Sequence, residues 1–318
     1  MNHPTSPNHN FWLALTIGSS NLHWAWFKGQ EFLTAWDTPH LNGAIAHQLI
    51  EGGFADRLWP NSSPPSPSSP PSPSPWQNEA QPRDGHSQVQ PGNEEKLSPS
   101  PRLPVSPSPR LRVSASPRLR VSPSPPPPLW IASVVPEQTR LWENYPQANA
   151  ISLDDLPLGG LYPTLGIDRA LVALGGGEKF GWPVLAIDAG TALTFTGVDE
   201  DRQLIGGAIL PGFRLQLKSL WTGTASLPDV EIPQQLPDRW GLNTPAGIQS
   251  GVIYSIVAGV RDFIEAWWRD YPQSKIVVTG GGGLGLLAYL KAQNSPIADL
   301  AIFDPHLVFW GMQIVVNA

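Results

Sequence analysis

VLAIDAGTALTFTGV, residues 184–198, consists of an apolar run, a four-residue turn and a second apolar run. Val184 to Asp188 reads as a buried strand, Asp188-Ala189-Gly190-Thr191 as a turn, and Leu193 to Val198 as the hairpin partner. The same grammar stands near the start of the chain. Phe11 to Ile17 is an apolar strand, Gly18-Ser19-Ser20-Asn21 a turn, and Leu22 to Phe27 a second strand ending at Lys28-Gly29-Gln30. A strand follows the turn in both places, whereas a Walker or Rossmann phosphate loop requires a helix there. The fold class expected is therefore α/β with two similar halves, and the interface of two such halves is one place to build a nucleotide site.

Working outward, Leu129 to Val135 (LWIASVV) is a strand expected to join the sheet begun at Phe11. Gly166 to Leu174 (GIDRALVAL) starts a helix with Asp168 in its first turn. Ile205 to Leu210 is a strand before a Pro-Gly turn, and Thr244 to Trp268 is a long helix interrupted only by Gly. Lys275 to Val278 is a strand that runs into Thr279-Gly280-Gly281-Gly282-Gly283.

Residues 61–128 are different. Most of the 37 prolines fall there, with Ser and scattered Arg, and an eight-residue unit repeats as SPRLPVSP (100–107), SPRLRVSA (108–115) and SPRLRVSP (116–123). Such a segment has too little apolar surface to offset its ordering entropy and favours extended polyproline conformations. It reads either as a docking tail for a proline-recognising partner or, with more weight, as an insertion tolerated in a surface loop, because closure cost grows slowly with loop length.

Composition removes several function classes. A net charge of -6 leaves no basic footprint for nucleic acid, and with no basic patch interleaving them the 14 tryptophans read as core and interface residues. The absence of cysteine excludes disulfides, thiolate ligands and a Cys nucleophile. The seven histidines have no metal-ligand spacing. The run Phe11 to Ile17 is too short for a membrane span or a signal core, so no membrane partner is expected and a soluble, cytoplasmic protein is.

Three features can carry chemistry. The turns 18–21 and 188–191 offer backbone N–H groups and hydroxyls, the second with a carboxylate; consecutive N–H groups beside Gly can nest an anion. Either turn alone also reads as an ordinary hairpin connection. Asp168-Arg169 can act as a base and an anion clamp, although the local sequence by itself favours a capping acid beside a solvated Arg. The glycines 280–283 permit close approach by an adenine and ribose, or form a flexible strand-to-helix loop.

Taken in order, LALTIGSSN (13–21), GIDRALVAL (166–174), AIDAGTALTF (186–195), GGAILPGFRLQLKSLWTGTASLP (206–228), NTPAGIQSGV (243–252) and VVTGGGG (277–283) resemble the type III pantothenate kinases over nearly the whole chain outside the insert. The resemblance implies two duplicated actin-like (ribonuclease H-like) domains with a nucleotide cleft between them. These would be an N-terminal domain at 11–180, interrupted by the insert at 61–128, and a C-terminal domain at 181–318. It implies phosphorylation of pantothenate by ATP with Mg2+, a monovalent cation (potassium or ammonium), and a homodimer with the long helix after Thr244 as an interface element.

The resemblance also implies roles for individual residues. Asp168 would accept the proton of the substrate hydroxyl. Gly166, Ile167 and Arg169 complete that substrate-binding motif, with Arg169 meeting the pantothenate carboxylate, and Tyr162 and Thr244 are further substrate contacts. Asp188 would hold the monovalent cation and Thr191 would touch ATP. Thr16, Ile17, Gly18, Ser19, Ser20, Asn21, Leu22 and His23 form the first phosphate-binding segment.

One departure stands out. The family begins that segment with Asp-x-Gly-Asn-Thr, and this chain has Thr16-Ile17-Gly18-Ser19-Ser20. A neutral hydroxyl replaces the acid near metal and phosphates. Weaker nucleotide-metal binding, a compensating carboxylate elsewhere, or loss of catalysis follows. The competing readings are a non-catalytic relative that binds pantothenate or nucleotide, a kinase for another small alcohol, and a scaffold acting through the insert.

Overall fold

A computed structural model describes residues 11–43 and 126–318. The Pro/Ser-rich stretch lies outside the described residues except at its end. There Pro128 offers its carbonyl to the Leu13 N–H (2.9 Å) and Pro127 accepts from the Tyr145 hydroxyl (2.8 Å). Pro127 and Pro128, assigned by composition to the insert, are thus tied to Tyr145 and to the first strand.

Two five-stranded sheets make up the fold. The first contains β1 (Phe11–Ile17), β2 (Asn21–Lys28), β3 (Glu31–Pro39), β4 (Leu129–Ser133) and β5 (Ala148–Ala150), in the order β3-β2-β1-β4-β5. The second contains β6 (Val184–Ala189), β7 (Ala192–Val198), β8 (Leu204–Pro211), β9 (Lys275–Thr279) and β10 (Ile302–Phe303), in the order β8-β7-β6-β9-β10. In each sheet the first three strands form an antiparallel meander and the last two join in parallel beside the first. The expected duplication is therefore present strand for strand.

The central strands explain the apolar runs. β1 is buried from Trp12 to Ile17, and β6 from Val184 to Ile187, because both faces of each are covered. Helix α1 (Ile167–Phe180) joins the two sheets. Its Ala170, Leu171 and Leu174 pack with Trp12, Ala14 and Phe27 of the first sheet, and its Val172 and Ala173 with Val184, Ala186 and Val198 of the second. Asp168 and Arg169 sit in the first turn of this bridging helix, which fixes them relative to both sheets.

The longer helices among the remaining ones are α2 (Phe213–Gly223), α3 (Thr244–Asp270), α4 (Gly283–Ala292) and α5 (Leu307–Val316). α3 starts cleanly because the Asn243 side chain accepts from the Ala246 N–H (2.9 Å) and Pro245 occupies the first turn. Its buried stripe, Ile248, Val252, Ile256, Val260 and Ile264, covers the second sheet. No helix among the described residues is long and apolar enough to cross a membrane.

Candidate active site between two hairpin turns

The two turns singled out in the sequence meet. Ser20 Oγ lies 2.9 Å from Thr191 Oγ1, a hydrogen bond between residues 171 positions apart that joins the meander of one sheet to that of the other. The first turn is closed by Gly18 N–H to the Asn21 carbonyl (3.1 Å) and pinned from outside by His40, whose Nε2 is 2.8 Å from the Gly18 carbonyl oxygen. The second is held on two sides. Gly212, at the head of α2, donates to the Thr191 carbonyl (2.9 Å), and Gly282, just before α4, donates to the Ala189 carbonyl (2.8 Å). The glycine run after β9 therefore wraps the Asp188–Thr191 turn.

Asp188 ends β6 inside that wrap. A Cβ on Gly280 would stand 2.3 Å from Asp188 Oδ1, and Gly280 has φ +82°, so only glycine fits. Burial, with the charge of Asp168 added, pushes the Asp188 carboxyl up to about 6, against a smaller opposing pull from His23. The charge of Asp168 thus reaches Asp188. Asp168 also accepts from the Arg169 N–H through Oδ1 (2.8 Å), so it occupies one free amide of the first turn while keeping its second oxygen.

Arg169 is not the solvated residue of the capping alternative. It is buried, and its guanidinium is spread over β7: Nη2 donates to the Phe195 carbonyl (2.9 Å) and Nε to Thr196 Oγ1 (3.3 Å). Nη1 donates to the Tyr162 hydroxyl (3.1 Å), which brings two expected substrate residues together. Three of five donors are used, which leaves two for an anion. Gly207 of β8 makes the space, since a Cβ there would stand 2.5 Å from Arg169 Nη2. Gly166 is the N-cap of α1, and Ile167 is buried beneath it.

Thr16 is buried at the end of β1, with Ile17 and Leu22 buried behind the turn, while Ser19, Ser20 and Asn21 are exposed. His23 pairs with Thr16 across the β1–β2 ladder, and its Nδ1 is 2.7 Å from Asp37 Oδ1 of β3. Burial works against the imidazolium, but the Asp37 hydrogen bond and charge, with Asp188 adding, raise its pKa above the ordinary value. Thr244 stands apart. It lines an apolar groove between α2 and α3 with Leu220, Ile248 and Val252, and makes no hydrogen bond to Asp168, Arg169 or Tyr162 among the described residues.

Reading the sequence missed Asp37, His40, Thr196 and Gly207. Each is adjacent to a functional residue only through strand pairing or a fold contact, and no local signal marks it. Among the described residues no three His, Asp or Glu side chains are grouped to hold a metal.

A protein named type III pantothenate kinase from a Nostoc species is 43% identical over 314 residues, covering 96% of this chain and 95% of that protein. The chain belongs to the type III pantothenate kinase family. The family model, described as type III pantothenate kinase, matches residues 115–266, which include Asp168, Arg169, Asp188 and Thr244. A Synechocystis protein of the same name is 47% identical over 190 residues, covering 59% of this chain and 73% of its own length. Among solved structures, one described as a conserved putative Baf family transcriptional activator from Campylobacter jejuni superposes with TM-score 0.52 at 17% identity, covering 96% of this chain and 97% of that one. At that identity the likeness speaks for the fold alone.

Proposed function

We propose that this type III pantothenate kinase family member transfers the terminal phosphoryl group of ATP to the primary hydroxyl of pantothenate, the entry step to coenzyme A. The observation that carries the reading is the Ser20–Thr191 contact, which sets two amide- and hydroxyl-bearing turns face to face beside Asp168 and Asp188. Phosphoryl transfer needs positioning and charge neutralisation more than covalent catalysis, and such a pair of turns supplies both. Asp168 takes the hydroxyl proton through its free oxygen as that hydroxyl attacks the terminal phosphorus, and ADP leaves. The two remaining Arg169 donors face the pantothenate carboxylate, with Tyr162 beside them. Thr244, Gly166 and Ile167 complete the acceptor side in this reading.

Mg2+ is held mostly by water and substrate phosphates with one or two carboxylates, so in this reading it enters with the nucleotide phosphates. A monovalent cation does fit: Asp188 offers a carboxylate in a cradle that a Cβ on Gly280 would fill, and potassium or ammonium there would offset phosphate charge. We place the division between the halves at residues 180 and 181, and the enzyme in the cytoplasm as a homodimer.

A second reading, a relative that binds ligand without turnover, rests on Thr16, which puts no carboxylate at the end of β1. One experiment separates the two: ADP release with ATP, Mg2+ and pantothenate, with and without potassium, beside Asp168→Asn. The kinase reading expects pantothenate-dependent ADP release that falls about 10²–10⁴-fold in the variant, the usual contribution of a general base. Pantothenate binding without any ADP release, under every cation, would transfer the case to the second reading.

A further inference from the structure

Thr16, His23 and Asp37 stand side by side across three strands, Thr16 paired with His23 and His23 with Asp37. Residues paired in this way share one face of the sheet. A carboxylate only accepts, so the 2.7 Å contact between Asp37 Oδ1 and His23 Nδ1 fixes a proton on Nδ1. The other nitrogen, Nε2, points toward the first turn: a Cβ on Gly18 would lie 3.9 Å from it. With Nδ1–H committed, only the imidazolium has a second proton to offer at Nε2. Asp37 from β3 and Asp188 from β6 both favour that form, against burial. The second imidazole at this turn, His40, has Nε2 engaged with the Gly18 carbonyl oxygen.

The pair has little structural purpose. Asp37 lies on the edge strand β3 with its side chain 67% exposed, and that of His23 is 42% exposed. An ion pair so open to water contributes little to folding. Its placement matters more. The end of β1 carries a buried, neutral Thr16, and the cation-forming ring stands next to it, at the mouth of the turn that joins Thr191.

We propose that Asp37 is a positioning residue that orients His23 so that Nε2–H donates to the phosphate chain of a nucleotide lodged at the Gly18–Asn21 turn. The N-terminal half then addresses the phosphates by donating a charged hydrogen bond, without a metal held on a β1 carboxylate. This inference rests on the nucleotide reading of the cleft given above.

The test measures MgATP binding by calorimetry without pantothenate, and the KM values for MgATP and pantothenate, in the full chain. The variants are His23→Gln, Asp37→Ala and the double substitution. His23→Gln should weaken MgATP binding about tenfold or more, the loss expected for one charge-assisted hydrogen bond, and leave the KM for pantothenate unchanged. Asp37→Ala should weaken it less, and should add nothing in the His23→Gln background, because it acts only through the ring. Melting temperatures should stay together within about 2 °C, since neither side chain supports the core. Equal MgATP affinity in His23→Gln, an undiminished Asp37 effect in the double variant, or no MgATP binding by the unaltered protein would overturn the proposal. The expected binding pattern without ADP release on adding pantothenate would sink the kinase reading and leave this one standing.

Discussion

Arg169 is the residue with most of its chemistry already fixed. Its guanidinium lies along β7, and Gly207 of β8 leaves the space for it, being paired with Thr196 in the ladder. A Cβ on Gly207 would stand 2.0 Å from the Phe195 carbonyl oxygen and 2.5 Å from Arg169 Nη2. The first obstacle is backbone, which cannot swing away, so Gly207→Ala must push β8 outward and displace the guanidinium. Overpacking of this kind costs about 1–3 kcal/mol. The expected outcome in steady-state kinetics is a KM for pantothenate raised about tenfold or more, with the KM for MgATP much less affected. An unchanged KM for pantothenate would mean that Arg169 does not hold the acceptor. Arg169 itself was legible in GIDRALVAL, next to Asp168 at a helix start. Its anchors were not, because Thr196 and Gly207 become neighbours only when β7 and β8 pair, 27 or more residues away from it.

At the scale of elements, the hairpin β6–β7 ties fold and chemistry together through Asp188. The Asp188 carboxyl is pushed up to about 6 by burial first and by Asp168 second. A folded-state value above the unfolded one means that the fold prefers the protonated acid. Its favourable contribution is complete below the unfolded value of 3.8, fades as pH rises through about 6, and leaves a cost above that. In cation-free protein, Asp188→Asn should therefore gain stability over the parent at about pH 7.5 and gain little at about pH 4. The gain should be about 1–2 kcal/mol once partial solvent access is allowed for, read from denaturant melts at each pH. Potassium should narrow that difference at the higher pH only, because a cation and a proton compete for one carboxylate. A gap that does not change with pH would contradict this account. The strands of this hairpin were readable from their apolar runs. β3, by contrast, escaped notice: Glu31–Pro39 is an edge strand with most of its residues half-buried, so it lacks both the continuous apolar run and the alternation that mark a strand. With β3 went Asp37 and the partner of His23.

At the scale of the whole molecule, several large apolar side chains of the described residues stand open to solvent. β8 is the edge of the second sheet, and its outward residues include Ile205 (50% exposed) and Ile209 (65% exposed). Trp240 (84% exposed) and Leu242 (99% exposed) stand just before α3, the helix that the family resemblance implicates in dimer formation. Edge strands and large apolar side chains left open in this way are aggregation hazards unless a partner covers them. The groove between α2 and α3, with Gly247 and Gly251 on its floor, gives a second helix room to approach closely. A homodimer built on Trp240 and Leu242 would cover the loop before α3. The test is sedimentation of the full chain against a Trp240→Glu, Leu242→Glu double variant, in which neither substituted side chain belongs to a buried cluster. The parent should sediment at twice the chain mass and the variant at the chain mass, with far-ultraviolet circular dichroism unchanged. A parent that stays monomeric at micromolar concentration would remove the dimer.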